Sequence, residues 1–482
     1  MSIKLGPLVG STTHNEAKIW VQTDTPARLE CRVYTDQEGS SQIPDSPFVF
    51  ETEQVNGCTG VVTVALPQDD KKYYYSVIET GGTGTTPIPR IYSFRTFPAQ
   101  DKKIESFSFG LISCNRPRDV KNSQEPGLRG MWRYLYNEMS GQDAAFLLAV
   151  GDQVYADHDK DNAWQKSLKG DPGKTSLERY REIYKTHWSF REMHSVIRNF
   201  PTFMIWDDHE ITNGWGSSNK HTGEKEQEIF RVAKKVYDEF QHSHNPPTLS
   251  HPQGHTLTQG HTPYYYAFRY GPAAFLVLDL RGNRRCWEKQ LLGPDQKAAL
   301  EHWFESKEAQ DSKILFVISS VPMIHVRRWI ARATSWIKTD IADQWSSEYY
   351  YKDRRFILKL LFDRYVEGGK RKAVVLGGDV HVGTVAKATD SFTGQSIYQF
   401  TSSPISNEAQ PFFDRWLTKF GNKFDFHLDE EDERTVHVEI DGKDKRFHER
   451  NFGIITVDFG SPLKATARMY EQFKGESEEI QI

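Results

Sequence analysis

Cysteine is scarce in this chain, which has four (Cys31, Cys58, Cys114 and Cys286) among 482 residues. This number excludes the disulfide framework that holds small secreted domains together. Cys31 and Cys58 lie in the first hundred residues and could pair with each other, but two buried thiols are the favoured interpretation. The scarcity indicates a reducing compartment.

Long apolar runs and an excess of charge of either sign are also missing. No run approaches the roughly 18 apolar residues that a membrane span needs. The first twenty residues, MSIKLGPLVGSTTHNEAKIW, lack the basic start, apolar core and small-residue cleavage site of a secretory signal. The sequence as it stands therefore predicts a cytoplasmic protein, or an exported one if the amino terminus has been trimmed. A formal net charge of −4 gives no indication of a nucleic-acid partner.

The length of the chain exceeds what one ordinary hydrophobic core holds, and the sequence pattern changes near position 100. Before that position, short β-rich runs recur without intervening helices, at 17–22, 29–34, 60–66, 73–78 and 91–95. This pattern is typical of a β-sandwich of the immunoglobulin or fibronectin type. We therefore predict a β-sandwich domain at 1–100, with a polar linker at 98–103, and a second domain at 104–482.

In the second domain, short and fully apolar runs alternate with amphipathic helical patterns. Buried strands are expected at 107–112, 144–150, 201–205, 274–278, 314–319, 373–376, 453–458 and 465–470. Helices are expected at 128–139 and 176–187. Apolar strands that alternate with helices predict an α/β fold with helices on both faces.

Three insertions, near 221–266, 327–351 and 419–450, fit no element of this pattern, and loops of such length are usually functional or mobile. The first contains five histidines without a regular ligand spacing, which we interpret as an exposed loop: His242, His244, His251, His255 and His261. For the three tryptophans of the second, core packing is favoured over a substrate channel: Trp329, Trp336 and Trp345. The third is densely charged.

Polar residues follow five of the predicted strands at the point where each strand ends. They occur in SCN at 113–115, GDQVY at 151–155, WDDHE at 206–210, DLR at 279–281 and GGDVH at 377–381. In open α/β sheets, ligands bind outside the carboxyl ends of the strands. These side chains are therefore expected to converge on one crevice.

Their residue types suit the hydrolysis of phosphate esters, in which the nucleophile and the substrate are both anionic. Two cations about 3.5–4 Å apart neutralise the phosphoryl oxygens and turn bound water into hydroxide near neutral pH. Asp152 follows a glycine that permits a tight turn, and its carboxylate suits a bridge between both ions. His209, beside two carboxylates, suits the general acid that protonates the leaving alkoxide.

Together and in this order, GDxxY, WDDHE, LDLR followed by LLGPDQ, and GGDVH resemble the calcineurin-like metallophosphoesterases. The resemblance is closer to their PhoD-like branch of alkaline phosphatases and phosphodiesterases, and it extends over nearly the whole chain. It implies an N-terminal β-sandwich followed by an αββα phosphoesterase core. It also implies a hydrolase of phosphate monoesters, diesters or both, in which a metal-bound hydroxide attacks a small phosphate-ester substrate.

By position, the resemblance implies that Cys114, Asp152, Tyr155 and His381 bind a first metal, with Asp152 bridging to a second. Cys114 stands where the related purple acid phosphatases have an aspartate. Thiolate and phenolate are both anionic donors that stabilise a trivalent ion, so Fe³⁺ is expected at the first site.

At the second site, the resemblance implies Asp208 and Asp379 as ligands beside the bridging Asp152. Purple acid phosphatases carry a histidine ligand after the fifth core strand, but here the corresponding stretch around Ser320 has none, and His325 is an unconvincing substitute. Every assigned ligand is then an oxygen, which suits a hard cation. Irregular carboxylate sets favour Ca²⁺ over Mg²⁺, so Ca²⁺ is expected there, with other divalent ions as alternatives.

His209 is implied as the general acid, and Arg281 as a phosphate clamp, because guanidinium matches phosphate oxygens in a bidentate manner. Asp279 could serve only to orient Arg281, while Asp207 and Glu210 could either hold the metal ligands in place by hydrogen bonds or be surface charges. The cluster that follows GDQVY is interpreted as a solvated loop rim rather than a further metal site: Asp157, His158, Asp159 and Asp161.

Two other function classes compete with this prediction. The first is a binding protein that kept the fold but lost catalysis, which His209 argues against because a binder needs no general acid. The second is a nuclease on the same scaffold, which the absence of a basic excess disfavours. Neither the substrate nor the oligomeric state follows from the sequence.

Overall fold

The computed structural model describes residues 3–80, 90–117, 126–158, 162–324, 344–408, 423–428, 433–440 and 447–482. Its amino-terminal strands are β1 Ile3–Thr12, β2 Glu16–Thr23, β3 Ala27–Tyr34, β4 Phe48–Thr52, β5 Thr59–Ala65, β6 Lys72–Glu79 and β7 Tyr92–Arg95. They form a three-stranded sheet in the order β1-β2-β5 and a four-stranded sheet in the order β4-β3-β6-β7.

The two amino-terminal sheets share one apolar core. Val9, Ile19 and Val21 of the first sheet are fully buried in the same cluster as Leu29 and Val33 of the second. The predicted strand-rich, sandwich-like part is therefore present. Strands β1 and β4 were not predicted. Glycine and proline interrupt the apolar alternation of β1, and the turn-forming residues Pro44, Ser46 and Pro47 come directly before β4. The boundaries 1–100 and 104–482 stay predictions.

The rest of the chain is built from strands and helices in alternation. The strands are β8 Ser106–Ile112, β9 Leu147–Val150, β10 Thr202–Ile205, β11 Tyr266–Tyr270, β12 Ala273–Val277, β13 Ile314–Ser319, β14 Lys372–Gly377, β15 Thr384–Asp390, β16 Ser396–Thr401, β17 Lys423–His427, β18 Thr435–Ile440, β19 Asn451–Asp458, β20 Lys464–Glu471, β21 Gly475–Glu476 and β22 Ile480–Gln481. The helices are α1 Pro126–Gly141, α2 Ala163–Lys169, α3 Ser176–His187, α4 Arg191–Ile197, α5 Glu224–Phe240, α6 Gly293–Glu305, α7 Lys307–Gln310 and α8 Tyr351–Lys359, and a π-helical turn, Leu360–Tyr365, follows α8.

These strands form two further sheets. The first has the order β10-β9-β8-β19-β20-β21, with β22 beside β20, and the second has the order β11-β12-β13-β14-β16-β15-β18-β17. Within the first sheet β8, β9 and β10 are parallel, and within the second β12, β13, β14 and β16 are parallel. Parallel strands end at the same edge, so each sheet presents several carboxyl ends together.

Aromatic side chains fill the space between the two large sheets. The ring of Phe109 on β8 lies 5.3 Å from that of Phe275 and 5.2 Å from that of Phe316, measured between centroids. Helix α1 covers the opposite face of β8, where Met139 packs over Gly110. Helices α6 and α8 bury their apolar residues against the outer face of the second sheet. The result is the predicted αββα layering. In the described part of the chain, no helix is both long enough and apolar enough to cross a membrane.

Two of the three predicted insertions contain regular structure. Helix α5 occupies 224–240 and buries an apolar stripe that includes Ile229, Val236 and Phe240. Strands β17 and β18 lie in the third insertion and extend the edge of the second sheet. The interpretation as loops was wrong for α5, β17 and β18, because charged residues on their exposed faces obscured the apolar periodicity, whereas residues 250–260 have no regular structure. In the second insertion Trp345 is 1% exposed, as core packing requires, while Trp329 and Trp336 lie outside the described residues.

The expected exposed loop is present at 253–260, where the chain is irregular and mostly exposed, but the five histidines themselves are buried or half-buried. His244 is completely buried. A second group surrounds the buried carboxylate of Asp295, with His255 Nε2 at 3.2 Å and His261 Nδ1 at 2.9 Å from its oxygens. The carboxylate thus fastens this stretch to the first turn of α6, a tertiary contact that has no signature in local sequence.

The sandwich packs directly on the helices of the α/β part. The indole Nε1 of Trp20 donates a 2.9 Å hydrogen bond to the carbonyl of Glu239, in the last turn of α5. The ring of Trp20 also lies 5.7 Å from that of Phe240. On the other sheet of the sandwich, the Tyr75 hydroxyl donates to the carbonyl of Arg198 at 2.9 Å. Buried polar and aromatic contacts therefore join the two parts.

Candidate metal centre

The loops that follow β8, β9, β10 and β14 meet at one point. They carry Cys114, Asp152, Asp208 and His381, and all of these are among the residues predicted to be metal ligands. Cys114 Sγ, a carboxylate oxygen of Asp152 and a ring nitrogen of His381 lie within 4.8 Å of one another. The arrangement of parallel strand ends thus brings residues from both sheets into one cluster.

Four of the residues predicted to be ligands have left-handed backbone conformations. Their φ angles are 56° for Cys114, 55° for Asp152, 65° for Asp379 and 55° for His381. Such conformations cost non-glycine residues about 1–3 kcal/mol each and cluster at functional sites. The preceding Gly151 also has a positive φ, and a Cβ there would lie 2.7 Å from the Cβ of Asp207. The backbone of these loops therefore adopts conformations that non-glycine residues disfavour, and in these conformations the four side chains lie close to one another.

The group predicted to bind the first metal is closely packed. Cys114 Sγ lies 3.4 Å from Asp152 Oδ2, and the Tyr155 hydroxyl lies 3.2 Å from the same oxygen. The Tyr155 hydroxyl is also 3.5 Å from His381 Nε2. Thiol, carboxyl, phenol and imidazole thus surround a common space.

Carboxylates dominate the neighbouring group, which was predicted to bind the second metal. Oxygens of Asp152, Asp207, Asp208 and Asp379 all lie within 4.8 Å of one another. Asp207 was not among the predicted ligands, although the WDDHE motif contains it. The stretch around Ser320 lies nearby, since a Cβ on Gly151 would be 3.2 Å from that of Ser320. His325 lies outside the described residues.

The electrostatics of this cluster fit bound cations. Burial, together with the repulsion from Asp208 and Asp207, holds the pKa of Asp152 well above its ordinary value of 3.8, against the attraction of His209. Burial also lowers the pKa of His381 to about 3, which keeps its ring neutral as ligation requires. Nδ1 of His381 and Oδ1 of Asp208 are buried without a hydrogen-bond partner among the described residues. Positive ions at this point would satisfy these atoms and the concentrated negative charge.

His209 is held by a carboxylate that the sequence interpretation had placed on a solvated rim. Its Nδ1 lies 2.8 Å from Oδ1 of Asp157, whose side chain is only 7% exposed. Although burial opposes the charged ring, Asp157, Asp208 and Asp152 raise the pKa of His209 well above 6.5. The rim interpretation was therefore wrong for Asp157, because tertiary burial is not visible in a polar loop sequence. His158 is 37% exposed, and Asp159 and Asp161 lie outside the described residues.

Arg281 lies beneath the carboxylates and is completely buried. Its Nε donates to Asp207 Oδ1, and another guanidinium nitrogen lies 3.6 Å from Asp208 Oδ1. Asp279, for which an orienting role toward Arg281 was one possibility, accepts a 3.0 Å hydrogen bond from the backbone N–H of Arg281. In this conformation the guanidinium faces protein carboxylates.

Glu210 fixes the backbone of two site loops at once. Its carboxylate accepts from the N–H groups of Asp152 at 3.1 Å, Gln153 at 2.6 Å and Asp207 at 2.8 Å. The side-chain amide of Gln241 donates a fourth bond at 3.0 Å. Glu210 is therefore a buried support of the loops that carry the predicted ligands, and it is not a surface charge.

Two residues of the cluster were missed entirely. Asn407 Nδ2 lies 3.2 Å from His381 Nε2, and the Ser403 hydroxyl donates to Cys114 Sγ at 3.1 Å. Both follow β16, which is parallel to β14 and ends at the same edge. Strand β16 was not predicted, because its sequence SIYQFT mixes polar with apolar residues. The rule that located the other loops would have found this one had the strand been recognised.

Comparison with known sequences gives two matches. The family of PhoD-like phosphatases matches residues 109–465. Alkaline phosphatase D of Bacillus subtilis (strain 168) is 23% identical over 222 residues, which make up 45% of this chain and 34% of that protein. The match thus spans about a third of the length of that relative.

The solved structures with a similar overall fold include the two described next. The structure of PhoD aligns with a TM-score of 0.70 at 16% identity, covering 99% of this chain and 88% of that one. Purple acid phosphatase PPD1 from seeds of yellow lupin (Lupinus luteus) aligns with a TM-score of 0.58 at 11% identity, covering 99% and 73%. At such low identity these likenesses show the fold alone, and they confirm the predicted fold class.

Proposed function

The chain belongs to the PhoD-like phosphatase family, and from this premise we propose that it hydrolyses phosphate monoesters, diesters or both. One observation carries the proposal: loops from distant parts of the sequence bring the residues predicted to be ligands together beside His209, which a buried carboxylate holds. The substrate would be a small phosphate ester.

We further propose two metals with different ligand sets. Cys114, Tyr155 and His381 would hold the first, for which we propose Fe³⁺. Asp208 and Asp379 would hold the second, for which we propose Ca²⁺, and Asp152 would serve both. Asp207 lies within reach of the second position. Bound cations would neutralise phosphoryl charge and lower the pKa of water.

His209 acts as the general acid in this proposal. Protonated at both nitrogens, it donates the Nε2 proton to the leaving oxygen and keeps the Nδ1 proton in its hydrogen bond to Asp157. Asp157 therefore fixes both the orientation of the ring and the tautomer that remains after transfer. Asp157 is a positioning residue, because it contacts His209 rather than the substrate.

For Arg281, the contacts support a role different from the phosphate clamp. The guanidinium is buried under Asp207 and Asp208, where it neutralises Asp207 and steers the Asp208 carboxylate. We propose that Arg281 positions the second metal's ligands. The clamp would require the guanidinium to leave these ion pairs.

A panel of esters tests the proposal, with purified protein as isolated and with His209→Ala. The panel comprises nitrophenyl monoesters and diesters and their alkyl counterparts, and elemental analysis accompanies each preparation. Turnover by the wild type that depends on His209 supports hydrolysis, and the ratio of diester to monoester rates assigns the preference. Bound metals without turnover of any ester would instead support a binding protein with this fold.

A further inference from the structure

Asp157 holds two imidazole rings, and the proposed catalysis uses only one of them. Oδ1 of Asp157 lies 2.8 Å from His209 Nδ1 and 2.9 Å from His158 Nδ1. One ligand atom from each of the three residues lies within 4.8 Å of those of the other two. Asp157 and His158 thus lie on the Nδ1 side of the His209 ring, and Nε2, the nitrogen proposed to face the leaving group, is on the other side.

We propose that Asp157, His158 and His209 form a separate, inhibitory zinc site. Two imidazoles and one carboxylate are ligands that zinc prefers, with distances of about 2.0–2.2 Å to nitrogen and oxygen. Ligand atoms around tetrahedral zinc then lie about 3.3 Å apart. The distances from Asp157 Oδ1 to the two Nδ1 atoms, 2.8 and 2.9 Å, are therefore about half an ångström shorter than the distance between two ligand atoms of zinc.

The described contacts show how the separation between Asp157 and His158 can widen. Oδ2 of Asp157 accepts a 2.6 Å hydrogen bond from the backbone N–H of Asn213, which anchors the carboxylate and leaves Oδ1 directed at the two rings. His158 is 37% exposed, so its ring is the partner that moves outward. Its exposed side also leaves room for a water as the fourth ligand, as in zinc sites with three protein ligands.

Zinc at this position removes the general acid, and this part of the inference rests on the proposed function. Zinc displaces the Nδ1 proton of doubly protonated His209 to solvent, and it binds Nδ1 of His158 as the neutral ring that carries its proton at Nε2. His209 then holds zinc at Nδ1 and one proton at Nε2. Giving up that last proton would leave an imidazolate, so the ring no longer donates readily. Inhibition should be strongest on alkyl esters, whose leaving group needs a proton.

The binding experiment uses the protein with its own metals in place and adds zinc. Equilibrium dialysis with elemental analysis counts zinc, iron and calcium in the wild type, in His158→Asn and in His437→Asn. The last is a matched control, because His437 forms an exposed pair with Asp425 at 2.8 Å, and among the described residues this pair belongs to no group of three metal-binding side chains. The wild type and His437→Asn should each bind one zinc more than His158→Asn. Equal zinc counts in all three proteins would overturn the site.

The activity experiment titrates zinc against the hydrolysis of alkyl and nitrophenyl esters. His158→Asn should need at least about tenfold more zinc than the wild type for half inhibition on alkyl esters. Equal sensitivity of the two proteins would overturn the inhibitory role. If the His158-dependent zinc is bound but no protein hydrolyses any ester, the zinc site stands and the proposed function fails.

Discussion

Replacing Asp157 by asparagine is the most direct test of the proposed acid. The carboxylate is 7% exposed and forms a 2.8 Å hydrogen bond with His209 Nδ1. Asparagine has the same shape, and its oxygen can still accept the N–H of Asn213. The nitrogen it turns toward His209 donates a hydrogen, which imposes the wrong tautomer on the ring.

The expected loss follows from the strength of that hydrogen bond. A hydrogen bond to a charged group contributes about 1.5–3 kcal/mol. At 1.36 kcal/mol for each factor of ten in rate, kcat/KM on alkyl esters should fall by about 10–150-fold. General acid catalysis is itself worth about 10²–10⁴-fold, so His209→Ala should cost as much or more.

The assay compares alkyl, phenyl and nitrophenyl esters under identical conditions. Nitrophenolate leaves without much help from a proton, so Asp157→Asn should hardly slow the nitrophenyl ester. Asp425→Asn, at the exposed His437 pair, is the control for loss of a His–Asp contact elsewhere. Metal content must match the wild type. If Asp157→Asn slows every ester by the same factor at full metal content, the carboxylate does not act through the acid.

Three other outcomes are expected. Cys114→Ser should shift and weaken the visible charge-transfer band of Fe³⁺, because the thiolate contribution is lost while that of the Tyr155 phenolate remains, whereas a colourless, fully active wild type containing zinc would refute iron at that site. A calcium-selective chelator should abolish activity and leave the colour, and calcium should restore activity better than zinc at equal concentration; rescue by zinc alone would contradict the all-oxygen site. His244→Leu should protect the fold against acid. Burial, with Lys18 nearby, lowers the pKa of His244 from 6.5 to about 3. The free energy of unfolding of the wild type is therefore highest above pH 6.5, where the ring is neutral in both states, and it decreases as the pH falls from 6.5 toward 3. Urea unfolding should show a loss for the wild type of about 3 kcal/mol at pH 4 relative to pH 7 that the variant lacks; parallel losses in both proteins would refute this.

The sequence predicted the central strands well because these strands are buried on both faces. Strand β13, at Ile314–Ser319, coincides with its prediction, and its six residues are all buried. Helix α3, at Ser176–His187, was also predicted to the residue from its amphipathic spacing, and in the structure Thr175 and Glu178 form a capping box at its start. Elements at the edges were missed, because β17 alternates exposed and half-buried residues and gives little apolar signal.

The candidate site followed from one rule, and its omissions have the same origin. Cys114, Asp152 and His381 were found because their strands were recognised and such strands direct their following loops to a common edge. Asn407 was missed together with its strand. The burial of Asp157 and Arg281 depends on which distant segments cover them, and no local pattern records that.

The hydrogen bond between Trp20 and Glu239 connects the amino-terminal sheets to residues that hold the loops of the candidate metal centre. Glu239 is two residues before Gln241, whose amide holds Glu210, and Glu210 in turn holds the backbone of Asp152. An engineer who exchanged the sandwich for another module would therefore remove a support of Asp152, the carboxylate proposed to bridge the two metals. A substitution at Trp20, more than a hundred positions from Asp152 in the chain, is therefore expected to alter the geometry of the candidate metal ligands.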